Sequence, residues 1–141
     1  MNSDFVDGTY QYLSARNINE DTCKKWDYRV GELGGQPVQI ANYKDQVGTR
    51  VAQKIRFRNK DFTVRGDMSD IGLYGEHLWS GTGKRAVVCE GEIDALSISQ
   101  TQGNRWPVYS VPNGSAGASK SIRKSIELLN GYEEVIFCFD S

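Results

Sequence analysis

The spacing of apolar and polar positions along the chain changes near residue 84. From residue 86 onwards, short apolar runs alternate with stretches whose apolar residues recur every three or four positions. This pattern predicts strands over 86–89, 108–111 and 134–139, the first and the last of them buried, and helices over 91–101 and 116–129. Alternating strands and helices imply a parallel sheet with right-handed crossovers. We therefore expect an α/β domain over residues 85–141, preceded by a different domain over residues 1–84.

The first part of the chain predicts a small α+β subdomain. Residues 9–30 have the pattern of two short helices, with Tyr10, Leu13 and Ile18 as an apolar stripe, and Asn19 suits the N-cap of the second helix. Residues 27–65 predict an antiparallel meander of strands. Its hairpin turns are expected at Gly34–Gly35 and at residues 45–48, where glycine and polar residues interrupt alternating apolar positions.

Composition excludes several classes of protein. The chain has 141 residues, 38% of them apolar, and a net charge of −1, so any attraction to nucleic acid must come from local clusters of charge. It contains no apolar run of 18 residues and begins with polar residues, which argues against a membrane segment or a secretory signal. An odd number of isolated cysteines predicts reduced thiols in the core of a cytosolic protein, without disulfides or a zinc site: Cys23, Cys89 and Cys138.

Acidic residues follow two of the predicted strands. Glu90 comes directly after the first strand of the α/β domain, with Glu92 and Asp94 in the first turn of the next helix, and Asp140 follows the last strand. Neighbouring parallel strands end at the same edge of a sheet, so Glu90 and Asp140 are expected to converge there. Carboxylate oxygens are the ligands that Mg²⁺ prefers, and Mn²⁺ is an alternative. An acidic first turn that simply stabilises its helix explains Glu92 and Asp94 equally well.

Cations recur at every second residue in one predicted strand of the meander. A period of two places such residues on one face, and at about 3.3 Å per residue four of them extend over roughly 20 Å. Like charges in a row repel, and a bound polyanion would relieve that repulsion. A solvated strand face is the alternative. The four candidate phosphate-binding residues are Lys54, Arg56, Arg58 and Lys60.

A turn of polar and small residues, Asn113, Gly114 and Ser115, lies between a predicted strand and a predicted helix. Such a loop can offer backbone amides to a phosphate at the start of the helix. A plain turn with a helix cap is consistent with the same residues.

Several segments resemble a known family in the same order. Val87–Leu96 resembles the first motif of the toprim domain, which primases, topoisomerases and related nucleases share, and Phe137–Asp140 resembles the start of its Asp-x-Asp motif. Over residues 10–140 the chain is similar to the primase part of phage T7-type primase-helicases. Further segments that carry this resemblance are Leu13–Ile18, Gln53–Arg56 and Leu73–Trp79.

The resemblance implies synthesis of short RNA primers on single-stranded DNA by magnesium-dependent nucleotidyl transfer from ribonucleoside triphosphates. Glu90 would be the catalytic and metal-organising glutamate, and Glu92, Asp94 and Asp140 the neighbouring acids. Lys54 and Lys60 match lysines that contact nucleotide, with Lys54 the stronger catalytic candidate. Arg56 matches a basic position, and residues 113–115 match a loop beside the active site.

The resemblance also implies partners: a replicative DNA polymerase, a helicase ring in the full-length protein, and no membrane, in the cytoplasm of an infected bacterium. The chain lacks the zinc module of such primases and ends at Ser141 within the Asp-x-Asp motif, so we expect an inactive fragment. Two alternatives stay open. One is a toprim nuclease or topoisomerase-like enzyme that cleaves phosphodiesters, and the other is a non-catalytic module that binds nucleic acid.

Overall fold

The computed structural model of the protein describes residues 5–113 and 120–139. The chain forms two compact units, Met1–Asp70 and Ile71–Ser141. Each unit has its own sheet, antiparallel in the first and parallel in the second.

The first unit is an antiparallel meander with a short helix. Its strands pair in chain order, and its helix α1 (Glu20–Trp26) comes between the first two strands in the sequence. The strands are β1 (Gly8–Thr9), β2 (Tyr28–Leu33), β3 (Gln36–Lys44), β4 (Arg50–Phe57) and β5 (Phe62–Gly66). The predicted meander is therefore confirmed, and so is the turn at Gly34–Gly35, whose residues have φ angles of 60° and 78°.

The prediction of the first of two helices over residues 9–30 is wrong. Residues 14–17 form a turn, closed by a bridge in which the amides of Leu13 and Ile18 each donate to the other's carbonyl, at 2.8 and 3.1 Å. Both side chains are buried, so their apolar character reflects this bridge and not a helical stripe. The second expected helix is α1, and Asn19 caps it by accepting a 2.9 Å hydrogen bond from the Thr22 amide.

A buried carboxylate organises the polar interior of the first unit. Asp27 follows α1 in the left-handed conformation and is 6% exposed. Its carboxylate accepts hydrogen bonds from Arg29 Nε at 2.7 Å, Lys44 Nζ at 2.9 Å and Asn42 Nδ2 at 3.2 Å. Burial alone raises the pKa of this carboxyl, but the three donors outweigh burial and lower its pKa to about 2.

The same polar interior anchors the N-terminal segment. Gln53, fully buried in β4, donates from Nε2 to Asn42 Oδ1 at 3.0 Å and to the Val6 carbonyl at 2.8 Å. Its Oε1 accepts the Val6 amide at 2.8 Å. The side-chain amide of Gln53 therefore pairs with the backbone of Val6 as a neighbouring strand would. This pairing holds Val6 on the sheet.

The second unit carries a parallel sheet flanked by helices. Strand β6 lies between β7 and β8 and is parallel to both, as the alternating pattern predicts. The elements are β6 (Gly83–Cys89), α2 (Glu92–Thr101), β7 (Val108–Ser110), α3 (Ile126–Leu129) and β8 (Tyr132–Cys138), and residues 120–124 are also helical. The α/β class is confirmed.

In the described parts of the chain, no helix has the length and apolar character needed to cross a membrane.

Residues 71–84 belong to this second unit, whereas the sequence pattern places the boundary between residues 84 and 85. Leu73 packs in the core with Ala86 and Val88 of β6. Tyr74 and Ser110 exchange backbone hydrogen bonds of 2.8 and 3.2 Å. The compact unit thus begins before its first strand, because the apolar residues that precede β6 are buried against its sheet.

The expectation of a buried last strand is wrong. Ile136 is 36% exposed, Phe137 is 51% exposed, and Cys138, expected to be a core thiol, is also exposed. The reason is the strand order: among the described residues β8 pairs only with β6 and therefore forms an edge of the sheet.

Candidate active site

Glu90 stands at the carboxyl end of the central strand of the second unit. The preceding residues Val87, Val88 and Cys89 are buried in β6, and Glu90 itself is half-buried. Gly91 is extended, with φ −132° and ψ 160°, and α2 begins at the next residue. The strand therefore delivers the Glu90 carboxylate to the turn between sheet and helix, the position where ligands gather in folds of this type.

Glu92 and Asp94 lie in the first turn of α2, where the helix dipole favours negative charge. Glu92 is 3% exposed and Asp94 is half-buried. Burial raises the pKa of the Cys89 thiol, and the nearby charges of Asp94 and Glu92 raise it further. Cys89 is therefore a protonated thiol, which donates to the Tyr109 carbonyl at 3.3 Å. The acids of this helix turn therefore lie close to the end of β6.

The parallel pairing of β6 with β8 places the carboxyl ends of the two strands side by side. Cys89 pairs with Cys138, so the residues that follow both strands leave the sheet on the same side. Asp140 lies outside the described residues, and its convergence with Glu90 stays a prediction. Over residues 5–113 and 120–139, no three His, Cys, Asp or Glu side chains form a group that could hold a metal ion.

The polar loop after β7 is described only in part. Val111 and Pro112 are buried, and Asn113 is exposed in a turn. Gly114 and Ser115 lie outside the described residues, so phosphate binding by this loop stays a prediction.

The strand of alternating cations is shorter than expected. Strand β4 ends at Phe57, whose amide donates to the Asp61 carbonyl at 2.8 Å and whose carbonyl accepts the Lys60 amide at 3.0 Å. Arg58 and Lys60 therefore belong to the turn between β4 and β5, with Lys60 at a φ of 76°. The prediction of four cations on one strand face is wrong for these two residues, because the chain already reverses there.

The remaining two cations share one face of β4. Lys54 and Arg56 alternate with Ile55, which packs on the opposite face against Val38 and Ile40. Exposure increases along the strand: Lys54 is 7% exposed, and Arg56 is half-buried. The Lys54 ammonium lies 4.7 Å from the centroid of the Phe62 ring, a distance typical of a cation–π interaction.

The cations at the end of β4 nevertheless converge on one groove. Arg56, Arg58 and Lys60 all line a groove of about 360 Å³ in the first unit. Its other lining residues, most of them on β2 and β3, are Val30, Pro37, Val38, Gln39 and Phe57. A groove with several cations on one side suits a chain of phosphates, which Lys and Arg bind by charge.

Two neighbours of these cations were missed by reasoning from the sequence. In the β4–β5 pair, Phe62 is directly opposite Arg56, and Val64 is directly opposite Lys54. Directly opposite residues of antiparallel strands lie on the same face. Phe62 and Val64 are 50% and 42% exposed, so an apolar surface adjoins the basic one. The alternation Phe62-Thr-Val64 was visible in the sequence, but its register against β4 was not.

Two known families match the two parts of the chain. The family described as the N-terminal a+b fold of the bacteriophage T7 DNA helicase/primase matches residues 8–66. A toprim-like family matches residues 87–141. The resemblance noted in the sequence is therefore confirmed independently in both parts.

Individual relatives agree with these families. The DNA helicase/primase of Enterobacteria phage T3 is 39% identical over 133 residues, which make up 94% of this chain and 23% of that protein. The crystal structure of the primase fragment of the bacteriophage T7 primase-helicase is 38% identical, with a TM-score of 0.91 over 96% of this chain and 56% of that chain. This chain thus spans about a quarter of the first relative and just over half of the second.

Two further structures extend the comparison. A bacteriophage T7 lagging-strand DNA polymerase was solved with primase domains bound to an RNA/DNA hybrid and dTTP. The matched chain is 38% identical, with a TM-score of 0.89 over 96% of this chain and 68% of that chain. The E. coli primase catalytic core, 16% identical with a TM-score of 0.68 over 93% of this chain and 54% of that chain, shares the fold. The chain therefore belongs to the family of phage T7-type DNA primase-helicases and covers its primase part from the N-terminal α+β fold into the toprim-like domain.

Proposed function

We propose that this chain is the primase part of a protein that synthesises short RNA primers on single-stranded DNA during DNA replication. The observation that carries the proposal is the position of Glu90, a half-buried carboxylate at the carboxyl end of the central parallel strand. The cationic groove of the first unit adds a surface for the phosphates of template and nucleotides.

The proposed reaction joins two nucleotides. The 3′-hydroxyl of one attacks the α-phosphorus of an incoming ribonucleoside triphosphate, a new P–O bond forms, and the bond to the β-phosphate oxygen breaks. The hydroxyl loses its proton, and pyrophosphate leaves. Negative charge spreads over the phosphoryl oxygens in the transition state, and positioned cations stabilise it. Lys54, with Arg56 and Lys60, would supply such cations to bound nucleotides.

The acids at the end of β6 suit a hard divalent cation. Carboxylate oxygens are the ligands that such an ion prefers, and they are offered by Glu90, Glu92, Asp94 and Asp140. We propose that they hold Mg²⁺, or Mn²⁺ in its place. When bound, the ion would neutralise phosphate charge and orient the triphosphate. Glu90 would also position the attacking hydroxyl.

The proposed partners follow from the family. In bacteriophage T7, primase domains interact with the lagging-strand DNA polymerase and bind an RNA/DNA hybrid and dTTP. For this protein we propose a single-stranded template, ribonucleoside triphosphates and a replicative polymerase, with an ATP-dependent helicase ring in the full-length protein. We propose the cytoplasm of an infected bacterium as the place where it acts.

The test uses the full-length protein encoded by the gene, incubated with ribonucleotides, Mg²⁺ and single-stranded DNA. We expect short oligoribonucleotides. Nicked DNA would favour a toprim nuclease instead, and DNA binding without either product would favour a non-catalytic module.

A variant of Glu90 tests the carboxylate itself. We expect Glu90→Gln, which keeps the side chain's size and removes its charge, to lower the rate of primer synthesis by about 10²- to 10⁴-fold. Glu133→Gln, which removes an exposed charge from β8, is the matched control and should keep full activity. Normal primer synthesis by Glu90→Gln would contradict the proposed site.

A further inference from the structure

We propose that Phe62 is a base-stacking residue, whose ring carries one base of a bound single strand while Lys54 and Arg56 contact the neighbouring phosphates. The inference rests on the proposed function, because it requires nucleic acid on this face of the first unit. It adds an aromatic residue to a site otherwise made of charges.

The ring of Phe62 is accessible to a ligand. Phe62 is 50% exposed at the start of β5, and Val64, two residues later on the same face, is 42% exposed. Water contact with apolar side chains is unfavourable, so a planar ligand that covers the ring gains free energy. Isolated exposed apolar residues are common and need no explanation. The surroundings of Phe62 are what distinguish it.

The ring of Phe62 lies among cations. Arg56 is directly opposite Phe62 on the paired strand, where Cβ atoms are typically about 4.5–5.5 Å apart. The Lys54 ammonium lies 4.7 Å from the ring centroid. Phe62 is therefore flanked by two positive charges, although half of its side chain stays accessible to a ligand.

The surroundings of Arg56 indicate which ligand fits this surface. Arg56 also lines the groove that Arg58 and Lys60 share, so the basic groove and the aromatic ring meet at this arginine. A ligand that satisfies both features must alternate negative charges with planar apolar groups. Single-stranded nucleic acid has this chemistry: its phosphates follow cations while its bases stack on aromatic side chains. A duplex does not fit, because its base faces are already stacked.

The experiment compares two fluorescently labelled oligodeoxynucleotides of equal length, one normal and one with abasic sites throughout its central part. Binding to the full-length protein is measured by anisotropy at several salt concentrations. For Phe62→Ala we expect about 5- to 150-fold weaker binding to the normal strand, with an unchanged salt slope. On the abasic strand, Phe62→Ala and the wild-type protein should differ by less than about twofold.

Matched variants separate stacking from packing. Phe62→Leu keeps apolar bulk without a π face and should bind as weakly as Phe62→Ala. Phe62→Trp keeps an aromatic ring and should bind the normal strand as well as the wild-type protein does. Val64→Ala, on the same strand and face, should have little effect. Circular dichroism and thermal unfolding of each variant check that the meander is intact.

The outcomes distinguish this inference from the proposed function. Weaker binding by Lys54→Ala and Arg56→Ala but not by Phe62→Ala would overturn stacking and leave the basic site in place. Full rescue by Phe62→Leu, or an equal loss on the abasic strand, would also overturn stacking. If none of these variants weakened binding, the nucleic-acid face itself would be wrong.

Discussion

Two charged side chains of the first unit are buried, and each is held by a different kind of partner. Asp27 is surrounded by hydrogen-bond donors, so its charged form is favoured in spite of burial. Lys54 lies over an aromatic ring on the opposite side of the sheet from Ile55. A cation held beside a ring is poorly hydrated, and its attraction to a phosphate is stronger than on an open surface.

We expect Asp27→Asn to destabilise the protein by about 2 kcal/mol at pH 7, because Arg29 and Lys44 lose their partner. Asparagine tolerates the left-handed backbone at this position, so the change tests the charge. The folded pKa of about 2 lies below the ordinary 3.8, so the stabilisation is present above pH 3.8 and is lost as the pH falls towards 2. Urea unfolding at several pH values measures the difference between variant and wild type.

The control for this prediction is Asp70→Asn, which removes an exposed carboxylate and should leave the free energy of unfolding within about 0.5 kcal/mol of wild type. A gap between Asp27→Asn and wild type that persisted unchanged at pH 2 would show that the charge of Asp27 contributes nothing.

The elements of the first unit are defined by where the chain reverses. Leu13 and Ile18 pair across a turn instead of sharing a helix face, and β4 ends at Phe57 because the next residues turn back. Each reversal moves side chains from an expected strand or helix face to a loop. Two glycines with positive φ, Gly34 between β2 and β3 and Gly66 at the end of β5, differ in how much space surrounds them, which allows a test of the backbone geometry of the meander.

A pair of glycine substitutions tests that geometry. Gly34 and Gly66 both have positive φ, of 60° and 85°, but a Cβ on Gly34 meets nothing within 4 Å, whereas a Cβ on Gly66 lies 2.4 Å from the Val51 carbonyl oxygen. We expect Gly34→Asn to change stability by less than about 0.5 kcal/mol, since asparagine suits this turn. Gly66→Ala should cost about 1–3 kcal/mol through strain and the backbone clash. Thermal unfolding of both variants measures this contrast, and equal stabilities would contradict this backbone geometry.

At the scale of the whole molecule, the chain consists of two units with separate sheets and cores. The acids that we propose for metal binding belong to the second unit. The proposed nucleic-acid-binding residues Lys54, Arg56 and Phe62 belong to the first. Nucleic-acid binding by the first unit can therefore be examined without the acids of the second.

We expect residues 1–70 to fold as an isolated fragment, because the apolar core around Ile40 and the Asp27 network lie within that unit. Trp26 is the single tryptophan of this fragment and is fully buried, so its fluorescence should be blue-shifted and should redden cooperatively in urea. The fragment should bind single-stranded DNA with a salt slope within about one unit of the whole chain. Emission typical of a water-exposed tryptophan without urea would contradict independent folding.

The sequence alone determined the features that depend on neighbours in the chain. The alternation of strands and helices after residue 86, the meander, the Asn19 cap and the Gly34–Gly35 turn are set by local spacing and backbone preferences. The place of Glu90 at the end of a buried strand followed from the same kind of pattern. These features were predictable because each is encoded within a few consecutive residues.

Only the tertiary structure decided which distant residues meet. The register of β4 against β5 sets Phe62 beside Arg56, and the reversal after Phe57 brings Arg58 and Lys60 to a groove instead of a strand face. The exposure of β8 follows from its place in the strand order. Register and strand order depend on pairing between separate segments, and a shift of one residue would move every side chain to the other face.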